Sequence, residues 1–234
     1  MHGRIVKTFA GKVARLLFAD CCVLCGAGGS DGWFCVRCTA LLPRNDGACR
    51  RCAKPLALPT ELRLCAGCQT APPAFAASRA ALRYEFPVDS ALKSIKFNRR
   101  LYLVPAFSSL LLQELEQHFS DTDALLPVPL HHWRQAGRGF NQARELCRPL
   151  ARATGLPLLR NVKRVRATRP QSGLEARERR RNLRQAFAVH GALDCRRPLI
   201  VDDIMTTGET CDQLARLLLR HGASSVRVLV VARA

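Results

Sequence analysis

Long apolar runs are missing from this sequence of 234 residues. No stretch approaches the roughly 20 consecutive apolar residues that a membrane-spanning helix needs, so no such helix is expected. Three cations, Lys7, Lys12 and Arg15, interrupt the apolar N-terminus, and no small-residue cleavage site follows them. A secretory signal peptide is therefore not expected either. We expect a short basic amphipathic helix and a cytoplasmic protein, with peripheral contact to a membrane as the alternative.

Aromatic residues are also scarce, at 6% of the chain. Rings on which bases stack are a main source of affinity for single-stranded nucleic acid. Residues 130–190 contain only Trp133, Phe140 and Phe187. This stretch therefore offers few stacking platforms.

Positive charge is abundant, with a formal net charge of +19. Residues 130–190 hold fifteen Arg or Lys and three Glu, a balance of +12. The densest cluster exceeds what a solvated helical surface usually carries and is suited to a polyanion or a phosphate-bearing substrate. It consists of Arg177, Arg179, Arg180, Arg181 and Arg184.

Twelve cysteines in a cytoplasmic chain indicate metal binding or catalysis before disulfides. Eight of them form four Cys-x-x-Cys pairs, and two such pairs supply the four thiolates of a tetrahedral zinc site. Two structural zinc ions are therefore predicted. With sequential pairing, the ligands are Cys22, Cys25, Cys35 and Cys38 for one ion, and Cys49, Cys52, Cys65 and Cys68 for the other. A cross-braced pairing has the same spacing, Cys21 could compete with Cys22, and a redox role would explain one pair only.

The domain organisation follows from these cysteines. Residues 1–70 have too few long apolar runs to fold without metal, and we expect an N-terminal helix and a double zinc ribbon there. Residues 71–79, rich in proline and alanine, are the expected linker. Residues 80–234 alternate apolar strand patterns with helical ones, which predicts an α/β domain with a parallel sheet flanked by helices. Strands are expected at 81–87, 123–130, 198–201 and 226–231 and near 185–191, and helices at 88–97, 104–119 and 211–222 and between 137 and 155.

The stretch VDDIMTTGET, residues 201–210, carries the clearest chemistry. It lies between a predicted strand and a predicted helix, where ligands of parallel sheets bind. The helix start can bind a phosphate through backbone N–H groups and the hydroxyls of Thr206, Thr207 and Thr210, and Gly208 permits close approach. Asp202 and Asp203 repel phosphate but suit the adjacent hydroxyls of a ribose.

These residues resemble the phosphoribosyl-pyrophosphate (PRPP) motif of type I phosphoribosyltransferases. The resemblance implies that Asp202 and Asp203 hold the ribose, that Thr206, Thr207, Gly208 and Thr210 hold the 5′-phosphate, and that Mg²⁺ accompanies PRPP. Three segments, PVPLHHWRQAGRGFNQARELC, RATRPQSGLEARERRRNL and VDDIMTTGET, are together similar to ComF-family proteins, which place a cysteine-rich zinc ribbon before a phosphoribosyltransferase-like domain.

The family resemblance also implies further site residues. His131 and Arg138 correspond to the pyrophosphate loop, and Gln171, Arg177, Arg180 and Asn182 to a mobile flap that closes over the site. Asp202, Asp203, Arg138, Arg177 and Arg180 would serve catalysis if the protein is an enzyme. We expect the other arginines of the cluster, Arg179, Arg181 and Arg184, to bind nucleic acid.

What the resemblance implies for function is a factor of DNA uptake in natural transformation. Such a factor would handle incoming single-stranded DNA at the cytoplasmic side of the inner membrane, with a helicase-like partner and recombination factors. Two other hypotheses stand beside it: an active phosphoribosyltransferase with an unknown acceptor, and a module that senses PRPP without catalysis. The motif predicts a pocket, but turnover requires a complete site.

Overall fold

The computed structural model describes residues 21–29, 32–57, 63–130, 139–165 and 186–234. The chain divides into two compact units, one ending at Leu42 and the other running from Pro43 to Ala234. The linker predicted at 71–79 was expected to separate two segments that fold independently. Independent folding is not tested by this division, so the linker stays a prediction. By contacts, the second group of paired cysteines belongs to the same unit as the α/β domain. Among the described residues, no helix is long and apolar enough to cross a membrane.

The first unit contains one short helix, α1 (Val36–Leu41), in its described part. Its chain turns tightly around the first cysteine pair, where the Gly26 N–H donates to the Cys22 carbonyl at 2.8 Å. Gly26 has a φ of +75°, the left-handed region that glycine adopts without strain. A glycine is therefore what this knuckle requires.

The second unit is built on a four-stranded parallel sheet with the order β1-β6-β5-β2. These strands are β1 (Ala77–Arg83), β2 (Ala124–Pro127), β5 (Pro198–Met205) and β6 (Arg227–Arg233). A separate antiparallel pair consists of β3 (Val162–Arg164) and β4 (Phe187–Val189). The helices are α2 (Ala66–Thr70), α3 (Val88–Asn98), α4 (Val104–His118), α5 (Gln142–Thr154) and α6 (Glu209–Arg220), with a 3-10 turn at Leu101–Leu103.

The sheet and its helices follow from apolar patterning. The central strand β6 is apolar between its two terminal arginines, and β5 is apolar up to Val201, because both faces of a parallel sheet are covered. Val228 to Ala232 of β6 are all fully buried. In α6, Leu214 and Leu218 recur one turn apart and are also fully buried. The predicted fold class, a parallel α/β sheet flanked by helices, is confirmed.

Several element boundaries differ from the prediction. β1 begins at Ala77, four residues before the predicted start. Helix α5 lies within its predicted range, continues through Pro149 and ends at Thr154, before Gly155 in the left-handed conformation. The short strand β3 was not predicted at all. Most important for the site, β5 continues to Met205 and so includes both aspartates, because its pairing with β6 continues past them.

The outer edge of β1 is covered by the chain that leads into the second group of cysteines. The Arg83 N–H donates to the Pro43 carbonyl at 2.7 Å, and the Ser78 N–H donates to the Arg50 carbonyl at 3.1 Å. Exposed strand edges invite pairing with other chains, and a covered edge avoids this. The chain around the second group of cysteines is thus joined to the sheet by backbone hydrogen bonds.

Candidate functional site

The acid pair lies at the carboxyl end of β5. Asp202 and Asp203 are half-buried, and each carboxylate accepts a backbone hydrogen bond from the residue that follows it. The Asp203 N–H donates to Asp202 Oδ1 at 3.0 Å, and the Ile204 N–H donates to Asp203 Oδ1 at 2.8 Å. These local bonds fix both carboxylates and leave their other oxygens as acceptors for a ligand.

Burial raises the pKa of the Asp202 carboxyl well above its ordinary value, and repulsion from Asp203 adds to the increase. The positive charge of Lys96 acts in the opposite direction. Desolvation and a like charge both disfavour the ionised form of a carboxyl group. The pair therefore resists full ionisation until a ligand or a cation compensates it, which is typical of functional sites.

The loop after β5 has the geometry of an anion site. Thr206 and Thr207 are exposed, and Gly208, with a φ of +80°, begins the twelve-residue helix α6. A Cβ atom at Gly208 would lie 3.6 Å from the Met205 sulfur and 3.9 Å from the Phe75 ring. Space is thus not the constraint, and the left-handed backbone is what requires glycine here. The Glu209 N–H donates to Thr207 Oγ1 at 3.4 Å, and the helix start presents its dipole and the other N–H groups of its first turn to this loop.

Glu209 departs from the small residue that is usual in this motif. Its carboxylate accepts a hydrogen bond from Gln213 Nε2 at 3.0 Å, one turn further along α6. The Gln213 bond holds this oxygen along the helix. Glu209 is therefore compatible with an anion at the loop.

The eight paired cysteines form two compact tetrads with sequential pairing. In each tetrad the four sulfur atoms lie within 4.8 Å of one another, so each could hold a metal ion. Across the pairs, Cys25 and Cys35 sulfurs are 3.7 Å apart, and Cys52 and Cys65 sulfurs are 3.6 Å apart. Tetrahedral zinc with Zn–S bonds of about 2.3 Å separates its sulfurs by about 3.8 Å, whereas a disulfide needs about 2.05 Å. The donor set fits zinc.

In both tetrads the pKa of one thiol is lowered and the pKa of another is raised. Against the effect of burial, backbone hydrogen bonds lower the pKa of Cys22 to about 6 and that of Cys49 to about 7. Burial and neighbouring cysteines raise the pKa of Cys38 and of Cys68. Four crowded thiols cannot all ionise without a cation, and a bound divalent metal deprotonates its thiol ligands. Cys21 is exposed and lies outside the tetrads, so Cys22 is the ligand that the structure brings in.

The second tetrad is tied to the end of β5 by Arg233. This residue is only 8% exposed. Its Nε donates to the Cys52 carbonyl at 3.0 Å, and one terminal nitrogen donates to the Met205 carbonyl at 3.0 Å. Met205 directly precedes the threonine loop. A single guanidinium thus connects a cysteine knuckle to the base of the candidate anion site.

Further contacts join the same two regions. Arg51, within the knuckle, donates to the Pro73 carbonyl at 2.9 Å, and its own carbonyl accepts from Ser78 Oγ at 2.9 Å. The Ala74 N–H donates to Asp212 in the first turn of α6 at 2.6 Å. Sequence reasoning missed Arg233 and Asp212. The signals were a charged residue ending a buried strand and an acid in a first helical turn.

A groove of about 1100 Å³ opens between the second tetrad and α6. Its walls include Thr207 and Gly208 of the loop, and Arg216 and Arg220 of α6. Neither aspartate lines it. The groove therefore neighbours the anion loop without being the predicted ribose pocket.

Asn141 of the RGFNQ segment has a structural role that the sequence did not reveal. Its side-chain oxygen accepts from the Arg144 N–H at 3.3 Å, capping α5, and its amide nitrogen donates to the Val128 carbonyl at 3.0 Å. The start of α5 is thereby fixed to the end of β2. His131 and Arg138, in the chain between them, lie outside the described residues. So do the other predicted residues of the basic stretch, Gln171, Arg177, Arg179, Arg180, Arg181, Asn182 and Arg184.

Comparison with known proteins identifies the class of protein and then the family. Residues 136–234 match the phosphoribosyl transferase domain, which agrees with the sheet and the loop described above. The chain is 36% identical over 208 residues to the DNA utilization protein YhgH of Salmonella typhimurium, covering 85% of this chain and 89% of that protein.

Two competence proteins are also similar. Competence protein F of Haemophilus influenzae is 35% identical over 160 residues, covering 64% of this chain and 70% of that protein. Competence protein ComFC of Streptococcus pneumoniae is 28% identical over 207 residues, covering 87% of this chain and 89% of that protein. The chain belongs to the ComF family.

The two tetrads should respond differently to the loss of a ligand. Cys52→Ser should remove one metal ion and lower the main thermal midpoint by roughly 5–10 °C, because this knuckle is hydrogen-bonded to the sheet. Cys25→Ser, in the other compact unit, should also remove one ion but leave the main midpoint within roughly 2 °C. Elemental analysis and calorimetry measure both. Equal midpoint shifts would show that the second tetrad is not integral to the α/β unit.

The pKa of Asp202 predicts a stabilising substitution. The folded-state pKa is raised above its ordinary value of 3.8, so wild-type stability falls as the pH rises from about 4 through the folded pKa. Asp202→Asn removes this loss and should raise the thermal midpoint at pH 7, by more than it does at pH 4. The same change at the exposed Asp46 controls for the loss of one negative charge. An equal gain in thermal midpoint at both pH values would contradict the raised pKa of Asp202.

Proposed function

We propose that this ComF-family protein is a DNA-uptake factor of natural transformation that binds single-stranded DNA and retains a ribose-phosphate pocket for PRPP with Mg²⁺. The observation that carries the pocket is the juxtaposition of two aspartates at the end of β5 with a helix start that only Thr206, Thr207 and Gly208 separate from that strand. A sugar with a diol on one side and a phosphate on the other would place the diol at the aspartates and the phosphate at the helix start. The phosphoribosyl transferase domain match supports the same ligand.

The case for DNA depends on charge and on the relatives. The net charge is +19, and the basic stretch at 130–190 carries +12 of it. Neutralising phosphates with Arg and Lys releases counterions and supplies most non-specific affinity. The names of the relatives, DNA utilization protein and competence protein, point to the same role. Within this proposal, Arg179, Arg181 and Arg184 contact the DNA backbone.

The metal ions have a structural role in this proposal. Each tetrad holds one zinc ion through four thiolates and no open coordination position, which is the arrangement of structural zinc sites. Two zinc ions per chain follow. The second ion stabilises the knuckle that Arg233 connects to the loop.

The location and partners of the protein follow from the family resemblance alone. We propose that it works at the cytoplasmic side of the inner membrane, with a peripheral contact there. A helicase-like competence partner and recombination factors would receive the incoming strand. Co-purification from a transforming culture tests these partners.

An active phosphoribosyltransferase is the second candidate, favoured by the raised pKa of Asp202 at the site. In that case Arg138, Arg177 and Arg180 would act on the pyrophosphate, with His131, Gln171 and Asn182 as further ligands. Release of pyrophosphate from PRPP in the presence of nucleobases or oligonucleotides tests it. PRPP binding without turnover would favour the sensing module.

PRPP with Mg²⁺ should stabilise the protein thermally, since a ligand that binds only the folded state adds about 2.7 kcal/mol at 100 times its Kd. Asp202→Asn with Asp203→Asn should abolish this shift, because each amide replaces one acceptor oxygen with a donor. Thr206→Val should weaken it by removing one hydroxyl donor of similar volume. Differential scanning fluorimetry measures all three. A double variant that shifts as much as the parent would refute the ribose assignment.

Binding of oligo(dT) should weaken steeply with salt, by about 0.7 units of log K per unit of log salt for each phosphate contact. Arg179→Ser, Arg181→Ser and Arg184→Ser together should flatten this slope by about two units, since three contacts are lost. Fluorescence anisotropy at several salt concentrations gives the slope. The PRPP shift of the same variant is the control. An unchanged DNA slope with a lost PRPP shift would move these arginines into the pocket.

A further inference from the structure

The exposed last turn of α3 and the residues directly after it combine aromatic and cationic side chains. We name this part of the chain the Lys96–Tyr102 segment; its sequence is KFNRRLY. Phe97 is 67% exposed, Leu101 40% and Tyr102 42%. Of the seven large hydrophobic side chains exposed among the described residues, three lie in this one turn. Such clustering, in contrast to single exposed apolar residues, marks an interaction site.

The charge along this stretch of the chain has a single sign. Between Asp89 and Glu114 the chain contains four cations and no carboxylate. Lys93, the first of them, forms an ion pair with Asp89 at 2.8 Å. Arg99 and Arg100 are exposed, and Lys96 lies over the Phe97 ring, 5.3 Å from its centroid. The surface therefore offers aromatic rings with cations next to them.

The backbone of the turn is unusual for the residue it carries. Arg99 follows the last residue of α3 with a φ of 54°, in the left-handed region where helices commonly end in glycine. An arginine is disfavoured in this conformation relative to glycine. The turn thus keeps a cationic side chain where a glycine would be easier to accommodate.

The segment lies close to the RGFNQ stretch. A Cβ atom at Gly139, in that stretch, would lie 3.3 Å from a terminal nitrogen of Arg99. The charge of Lys96 also lowers the pKa of the Asp202 carboxyl, against the larger effect of burial.

We propose that the Lys96–Tyr102 segment is a base-stacking platform for single-stranded nucleic acid, with Phe97 and Tyr102 stacking bases and Arg99 and Arg100 contacting phosphates. The proposal rests on the proposed DNA-binding function and adds to it residues other than the arginines at 177–184. Every base has a π face, so stacking tolerates any sequence, as a factor that handles incoming DNA requires. Duplex DNA presents its phosphates but hides its base faces, so it would bind this surface less tightly.

The test compares two exposed phenylalanines at opposite ends of one helix. Phe97→Leu keeps an apolar side chain but removes the ring, and it should weaken oligo(dT) binding at least about fivefold. Phe86→Leu is the matched control, since Phe86 is 80% exposed just before α3 and outside the segment. It should bind like the parent. Anisotropy titrations at one salt concentration measure both.

Two further variants separate stacking from charge. Phe97→Trp should restore affinity, and its fluorescence should be quenched by oligo(dT) beyond the quenching seen in the parent. Arg100→Ser should reduce the salt slope by about 0.7, whereas Phe97→Leu should leave the slope unchanged. The combination of lost affinity with an unchanged slope is what a general loss of folding would not produce.

The outcomes distinguish this proposal from the function on which it rests. If the parent protein binds no oligo(dT), both fail. If the parent binds with a steep salt slope but Phe97→Leu and Arg100→Ser behave like the parent, only the platform is overturned. If Phe97→Leu instead changes the sedimentation coefficient of the free protein and leaves DNA binding intact, the rings pack against a second copy of the chain, which also overturns the platform.

Discussion

The buried guanidinium of Arg233 joins the parts on which the candidate site depends. It is hydrogen-bonded to the carbonyls of Cys52 and Met205, so a cysteine knuckle and the last residue of β5 share one donor group. A buried cation is tolerated only when its donors are satisfied. Moving either partner would leave one of its buried donors without that hydrogen bond. The position of the threonine loop is thereby coupled to the integrity of the second cysteine tetrad.

The Arg233 contacts stabilise the fold, whereas the acid pair lowers stability in favour of the proposed function. Two carboxylates lie side by side in the last residues of a buried strand, and burial raises the pKa of Asp202. An amide there would fold more comfortably but would lose the acceptors for a ribose diol. Strain and unfavourable charge of this kind concentrate where a ligand compensates them. In the proposed pocket, the helix start at Gly208 would supply donors for the phosphate of the same ligand.

The sequence predicted the parallel α/β fold and the composition of both cysteine tetrads, because each depends on local spacing. It did not predict that β5 continues through Asp202, since charged residues weaken a strand pattern and pairing with Val230 of β6 overrides that preference. The sequence also did not predict that the second tetrad is hydrogen-bonded to the residues of the sheet. This attachment depends on contacts such as that of Arg233 with Cys52, 181 residues apart in the chain.

A crystal structure with PRPP and Mg²⁺ tests the central claim most directly, namely that the end of β5 and the start of α6 form one ribose-phosphate pocket. The account predicts the ribose hydroxyls on Asp202 and Asp203, and the 5′-phosphate within hydrogen-bond distance of the Thr206–Thr210 loop. Phosphate density instead in the neighbouring groove, against Arg216 and Arg220, would contradict it. So would a ribose that touches neither aspartate.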